Sequence, residues 1–354
     1  MLIHLIPFDK FILEQTLAIR EANNNDIIIA VGSPSHSMHY TDVKRLYQLN
    51  GIIYVQKRTI IRSTFNVFRI LKKHSHGAAL VVHGMDLLYT KYICLFCMSA
   101  RIDIYWHIRG TDLYRHLQDP KLPCLHRALN NIIYPHVQTY MSSTALDAYL
   151  VKSVFRNTNY VDMIVSPSNT ISTTSYTTST RNKSIRVLVG NSATWTSNID
   201  LFLKLYDPVI TENQDAEFVL QIAYGSEKVQ NIIKDQVVSR HNITLNRKFR
   251  SLQEFYRYIS TFEHAILMPS RMQGLGLLLS LISSEVTIHT PFFLPLANFL
   301  RQYQFRFREL NQSGTKLVSL TTEDHAHNRG IIQEKFSRQR LVHQWQQLAN
   351  RITL

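Results

Sequence analysis

The stretch Ser270-Arg271-Met272-Gln273-Gly274-Leu275-Gly276 has the composition of a phosphate-binding turn. Before it, His264 to Pro269 (HAILMP) reads as a short buried strand; after it, Leu277-Leu278-Leu279-Ser280-Leu281-Ile282 reads as a helix with no charge in its first two turns. Such a strand, turn and helix gather unpaired backbone N–H groups and the positive end of a helix dipole at one spot, and glycines let an anion approach closely. The same glycines also suit a helix start that only eases packing, so the neighbouring segments matter. Val189-Gly190-Asn191-Ser192 ends one strand with a turn glycine and short polar side chains. Ala223-Tyr224-Gly225-Ser226 ends the next, and Asn246-Arg247-Lys248-Phe249-Arg250 supplies three cations and a ring, suited to a diphosphate and a stacked base. Singly these pass for a turn, a rim aromatic and a solvated loop. Jointly, four strand ends with anion-binding chemistry imply a nucleotide-diphosphate site.

A different set lies in the first half. Val81-Val82-His83-Gly84 ends one strand, and Tyr105-Trp106-His107-Ile108-Arg109-Gly110-Thr111-Asp112-Leu113-Tyr114 ends another. His107 or Asp112 suits a base toward an acceptor hydroxyl, and Arg109 suits an anionic group; His107 equally suits a buried residue hydrogen-bonded to the backbone. No Asp-x-Asp pair, His-Glu-x-x-His or Walker-type Gly-Lys-Ser/Thr occurs, so no metal or cofactor is expected, and Arg271, Lys248 or Arg250 would balance leaving-group charge. Cys94-x-x-Cys97 with Cys124 and His126 has the makings of a zinc site, but the first two cysteines stand in the apolar run Tyr92–Met98, where buried thiols are the ordinary outcome.

These strand ends need a scaffold, and the alternation of strand-like and helix-like segments supplies one. Strands are expected near Leu2–Ile6, Ile27–Val31, Ile52–Val55, Ala79–Val82, Ile102–His107, Val137–Met141 and Val161–Val165. After Ser166–Ser184, which is dominated by Ser, Thr and Asn, they recur near Ile185–Val189, Phe218–Ala223, Ile243–Leu245, Ala265–Met268, Val286–His289 and Lys316–Leu320. Apolar strands such as Ile27-Ile28-Ile29-Ala30-Val31 imply burial on both faces, hence parallel sheets between helices. The expectation is α/β: a Rossmann-like domain over 1–165, a linker over 166–184, a second Rossmann-like domain over 185–325, and a C-terminal helix over 326–354. Two doubly wound domains with ligand sites at their carboxyl edges would face each other across a cleft suited to two substrates.

Of the 354 residues, 39 are Lys or Arg and 25 are Asp or Glu, a formal charge of +14. That balance favours a polyanionic partner: nucleic acid, an anionic membrane surface or a phosphorylated substrate. No nucleic-acid module is recognisable and basic-aromatic interleaving is not concentrated on one segment, so nucleic acid is not expected. The most apolar window, Ala78–Ala100, carries His83, Asp86 and Lys91, which argues against a membrane-spanning helix. Ile60–His76, with Arg62, Arg69, Lys72 and Lys73 among apolar residues, suits either a helix resting on anionic headgroups or an ordinary surface helix.

The segments Tyr105–Tyr114, Val187-Leu188-Val189-Gly190-Asn191-Ser192 and Arg271-Met272-Gln273-Gly274-Leu275-Gly276, with His83-Gly84, resemble glycosyltransferase family 56. That family comprises the TDP-N-acetylfucosamine:lipid II N-acetylfucosaminyltransferases of enterobacterial common antigen assembly. The chain departs from the family pattern at Arg109, Thr111 and Met272 and in the residues after Asn191-Ser192. The resemblance implies a GT-B fold, a nucleotide-sugar donor such as a TDP-sugar in the second domain, and a lipid-linked (undecaprenyl-diphosphate) saccharide acceptor at the first. It also implies a peripheral position on the cytoplasmic face of a bacterial inner membrane. On this basis His107, Asp112 and Arg271 are the expected catalytic residues. Gly190, Asn191, Ser192, Tyr224, Arg247, Lys248, Phe249, Arg250, Ser270, Gln273, Gly274, Leu275, Gly276, His83, Gly84 and Arg109 are the expected binding residues.

Overall fold

The computed structural model describes residues 1–7, 12–32, 40–49, 52–55, 60–74, 78–155, 159–164, 185–238, 240–248, 250, 252–311 and 316–353. The Ser/Thr-rich stretch 166–184 and Phe249 lie outside the described residues. The chain forms two compact units, one made of Met1–Thr170 with Arg338–Leu354 and the other of Ile171–Ser337.

In the first unit the strands are β1 Leu2–Pro7, β2 Ile27–Val31, β3 Ile52–Val55, β4 Ala79–His83, β5 Ile104–His107, β6 Val137–Ser142 and β7 Tyr160–Asp162. They form one parallel sheet in the order β3-β2-β1-β4-β5-β6-β7. Every residue of β4 and all but the last of β1 are buried, as unbroken apolar strands covered by helices on both faces require. The order reverses between β1 and β4, so their carboxyl ends flank the point where such sheets hold ligands.

In the second unit β8 Arg186–Val189, β9 Glu217–Gln221, β10 Ile243–Asn246, β11 His264–Ile266, β12 Thr287–Thr290 and β13 Arg308–Glu309 form a second parallel sheet, ordered β10-β9-β8-β11-β12-β13. Its reversal lies between β8 and β11. One strand differs from the expectation: Lys316–Leu320 makes no ladder, and the sixth strand is Arg308–Glu309. The backbone N–H of Leu320 instead donates to Thr287 Oγ1 at 3.0 Å, a side-chain anchor in place of strand pairing.

The tail also differs from the single helix expected over 326–354. Helix Thr322–Lys335, started by a capping box between Thr321 and Asp324, ends at Phe336, and a second helix runs Arg338–Thr353. The two helices fall in different units. Phe336 is fully buried among Phe299, Tyr303 and Phe305 of the second unit, whereas the helix beyond it belongs to the first. There Trp345 is buried, Gln344 Oε1 accepts from the N–H of Ile164 at 3.0 Å, and Arg338 pairs with Glu14 and Glu21.

Candidate functional site

The helix Leu275–Ser283 follows β11 and begins beside the turn that ends β8, at the reversal point of the second sheet. Gly274 is its N-cap with φ +67°, and no side chain caps it, so the first-turn N–H groups point outward without intrahelical acceptors. Ser270 is exposed, and Arg271, Gln273, Gly274, Leu275, Gly276 and Leu277 are half-buried, while Leu278, Leu279 and Leu281 are buried. The turn is therefore open to a ligand and anchored from beneath by the leucines.

Asn191 is the hub that fixes this turn. Its side-chain oxygen accepts from Ser197 Oγ at 2.8 Å and Gln273 Nε2 at 3.2 Å, while its backbone N–H donates to Ser197 Oγ at 3.2 Å. Thr196 Oγ1 donates to Gln273 Oε1 at 2.7 Å, the N–H of Ser270 donates to the Thr196 carbonyl at 2.9 Å, and Asn198 Nδ2 donates to the Met268 carbonyl at 2.8 Å. The loops after β8 and β11 are thus stitched together by side-chain amides and hydroxyls. A Cβ on Gly274 would lie 2.5 Å from Asn191 Nδ2, and one on Gly190, at φ +70°, would lie 2.4 Å from an Ile199 side-chain carbon. Both positions require glycine on two counts, left-handed backbone and lack of space. Gly190, Asn191, Ser197, Met268, Gln273 and Gly274 together line a small crevice.

Of the other residues expected here, Ser192 bonds to Asn191 Oδ1 and Thr194 Oγ1. Tyr224 is 45% exposed, with its hydroxyl bonded to Ser192. The basic run lies elsewhere along the edge. β10 is the outer strand of the sheet, and Arg247 and Lys248 after it are exposed. Arg250 donates to Asn246 Oδ1 at 2.9 Å and to the Lys248 carbonyl at 3.1 Å, and its guanidinium lies 3.7 Å from the centre of the Tyr258 ring. Arg250 is therefore spent on local order. Sequence reasoning passed over Thr196, Ser197 and the exposed Trp195, 52% accessible. The run of hydroxyl residues directly after Gly190-Asn191 was the available sign, since such residues bond backbone and side chains across loops.

In the first unit His83, Gly84, His107, Arg109 and Asp112 do converge at the ends of β4 and β5, but His107 and Asp112 are not placed as surface bases. His107 is 0% and Asp112 2% exposed. Asp112 accepts four N–H donors: Met85 N at 3.1 Å and Trp106 Nε1 at 2.7 Å on one oxygen, Arg109 N and Leu113 N at 3.0 and 3.1 Å on the other. Burial, then Asp86, pushes its pKa up to about 7, and the Trp106, Met85 and Arg109 donors oppose that rise by favouring the carboxylate. Asp112 is a staple tying the β4 and β5 loops together.

Beneath it runs a row of buried imidazoles, with His4 Nδ1 at 3.1 Å from His83 Nε2 and His83 Nδ1 at 2.8 Å from His107 Nδ1. At its far end His4 Nε2 lies 3.5 Å from Asp26 Oδ2, and the ring of Trp345 stands 5.4 to 5.8 Å from all three histidine rings. Burial first, then the neighbouring histidines and Arg109, holds His83 and His107 well below the ordinary imidazole range. Both are neutral at pH 7. Cys94 and Cys97 are buried in the core, Cys124 is exposed, and His126 Nδ1 lies 3.0 Å from Lys91 Nζ. Among the described residues no group of three or more His, Cys, Asp or Glu converges as metal ligands.

Two all-parallel sheets, each with its reversal beside the first strand and a glycine turn at the reversal point, define a pair of Rossmann-like units. Solved structures sharpen this. The chain is similar to Anabaena HepE in complex with UDP-glucose (TM-score 0.67, 7% identity, 99% of each chain). It is similar also to an α,α-trehalose-phosphate synthase (UDP-forming) from Burkholderia xenovorans with glucose 6-phosphate (TM-score 0.60, 10% identity, all of each chain). A third likeness is to the pneumococcal O-GlcNAc transferase GtfA with UDP and GlcNAc (TM-score 0.56, 11% identity, 81% of this chain and 59% of that one). The fold is that of the GT-B glycosyltransferases. No family model matches the sequence, and no curated protein matches it.

Proposed function

We infer that this chain is a glycosyltransferase that moves a sugar from a nucleotide-diphosphate donor, held by the second unit, to an acceptor hydroxyl presented at the first. The observation that carries this is the uncapped start of helix Leu275–Ser283, with Gly274 held against Asn191 at the reversal of the second sheet. N–H groups of Leu275 and Gly276 there suit the donor diphosphate, with Arg271 adding a charge. Because these groups are fixed before the reaction, they would stabilise the charge that grows on the diphosphate as the glycosidic bond breaks. Asn191, Ser192 and Gln273 position that turn, and Tyr224 borders the donor. On the acceptor side Gly84 and Arg109 offer the accessible contacts, with Asp112 and His107 positioning them from below. With retention of configuration, the leaving diphosphate oxygen would itself take the acceptor proton, and no protein base is required.

The finer reading rests on the resemblance of the three motifs to glycosyltransferase family 56. It makes the donor a TDP-sugar such as TDP-N-acetylfucosamine, the acceptor a lipid-linked undecaprenyl-diphosphate saccharide, the reaction metal-independent, and the setting the cytoplasmic face of a bacterial inner membrane. Titrating TDP, UDP and GDP, with a single-stranded oligonucleotide beside them, tests the class. A nucleoside diphosphate should bind with a clear base preference and unaltered by chelator. Tight oligonucleotide binding without such a preference would overturn the assignment. Lipid-linked saccharides that accumulate in a deletion strain, read by mass spectrometry, then identify the acceptor.

A further inference from the structure

The loop after β8 carries one side chain that the diphosphate turn does not use. Trp195 opens the single-turn helix Trp195–Ser197, in the stretch after Asn191-Ser192 where the chain departs from the family 56 pattern, so the resemblance assigns it no role. Of the three tryptophans, Trp106 and Trp345 are buried in the first unit and Trp195 is 52% exposed in the second.

The backbone beneath Trp195 is held from both sides. Its carbonyl accepts from the N–H of Asn198 at 3.2 Å, and the carbonyl of Thr194 accepts from the N–H of Ser197 at 3.0 Å. The flanking threonines are tied to the donor turn. Thr194 Oγ1 lies 3.0 Å from Ser192 Oγ, while Thr196 donates to Gln273 and accepts from Ser270. Ala193 bridges to Gly225: the N–H of Ala193 donates to the Tyr224 carbonyl and the N–H of Ser226 to the Ala193 carbonyl, both at 2.8 Å. Tyr224, also exposed, thus stands on the adjoining loop with its hydroxyl bonded to Ser192. An indole presented on a backbone fixed in advance loses little freedom when a ligand covers it.

The parts of a nucleotide-sugar ask for different surfaces. The diphosphate is met by the N–H groups at Gly274, and sugar hydroxyls need hydrogen-bonding partners, but a nucleobase is flat and needs a flat ring to lie on. Among the described residues of the loops after β8, β9, β10 and β11, the exposed rings are Trp195 and Tyr224. We propose that Trp195, with Tyr224 on the adjoining loop, is the surface on which the donor's nucleobase stacks. The inference rests on the second unit's holding a nucleoside-diphosphate donor and adds the side chain that holds the base.

Tryptophan emission reads this residue by itself, because iodide reaches Trp195 and not the buried Trp106 and Trp345. Binding of UDP or TDP to the full chain, followed in parallel by calorimetry, should quench that emission and shield it from iodide. Inorganic pyrophosphate, which has no base, should do neither. Trp195→Ala should weaken UDP binding roughly 5- to 150-fold, the equivalent of about 1–3 kcal/mol for one base stacked on a ring, with pyrophosphate affinity and melting temperature unchanged. Trp195→Phe, which keeps a ring, should recover most of the loss. UDP that binds by calorimetry while the emission and its iodide quenching stay unmoved would overturn the inference and leave the donor site standing. Equal loss of UDP and pyrophosphate binding in Trp195→Ala would overturn it too, as would shielding by UDP-glucose without shielding by UDP, which would give the indole to the sugar. A chain that binds no nucleoside diphosphate would overturn the donor reading and this inference together.

Discussion

Replacing Gly274 by alanine isolates the turn that the proposed chemistry depends on. The new Cβ would sit 2.5 Å from Asn191 Nδ2 and 3.3 Å from Asn191 Cγ, at a backbone φ of +67°. Left-handed backbone costs an L-residue about 1–2 kcal/mol. Moving the Asn191 amide away loosens its bonds to Ser197 and Gln273, each worth about 1 kcal/mol net. The free protein can relieve this total of about 3 kcal/mol by letting the turn shift, but a shifted turn no longer aims its N–H groups. Donor binding should therefore weaken by roughly 30- to 150-fold, which corresponds to about 2–3 kcal/mol. Calorimetric titration of UDP and TDP into Gly274→Ala and the natural chain, with thermal melts of both, measures it. Unchanged affinity in a protein whose melting temperature has fallen would refute the reasoning, because the turn would then be strained yet irrelevant to the ligand.

Other expectations follow from the same structure. Arg271→Ala should weaken nucleotide-diphosphate binding about tenfold or more with the fold intact, as for loss of one charge-assisted hydrogen bond; unchanged affinity would remove Arg271 from the site. Asp112→Ala leaves three buried N–H donors and the part-buried one of Arg109 without their acceptor and should destabilise the first unit by about 3–5 kcal/mol, seen in urea melts. Trp345→Ala, at 2% exposure against the histidine row, should cost about 3–5 kcal/mol and free the C-terminal helix, seen as faster proteolysis near Arg338.

The pH dependence has a defined sign. His83 and His107 have pKa values lowered by burial, and that of His289 is lowered to about 3. The unfolded chain therefore binds more protons than the folded one below pH 6.5, and their contribution to stability is fully present above that value. It should be lost at up to about 1.4 kcal/mol per histidine per pH unit as pH falls below 6.5. Urea melts between pH 5 and 8 test this, and a flat stability profile below pH 6.5 would contradict it.

The sequence made the scaffold legible where patterns are long and apolar. Ile27–Val31 and Ala79–His83 announce themselves by unbroken aliphatic runs, and both are interior to the first sheet. Arg308–Glu309 carries no such pattern because an edge strand of two charged residues has nothing to bury, and Lys316–Leu320 imitates a strand while its partner is a threonine hydroxyl. The split of the tail at Phe336 was hidden because each half is a good helix by pattern, while Phe336 packs with Phe299, Tyr303 and Phe305 and Trp345 packs on the histidine row of the first unit. At the site, Gly190, Asn191, Gln273 and Gly274 come together as their strand ends suggested. Asp112 and His107 are different: polarity at a strand end does not reveal whether a side chain turns to solvent or into the loop that it staples. Arg250 likewise looked available until the ring of Tyr258, eight residues on, was seen to occupy it.

Selective 15N-glycine labelling offers the most direct test, because the chain contains 11 glycines and two of them stand at the proposed diphosphate turn. On titration with UDP or TDP, the Gly274 and Gly276 amide resonances, assigned by substitution, should move furthest, with Gly190 following. Shifts confined to Gly84 and Gly110 of the first unit, or no shift at saturating nucleotide, would contradict the assignment of the donor to the helix tip at Gly274.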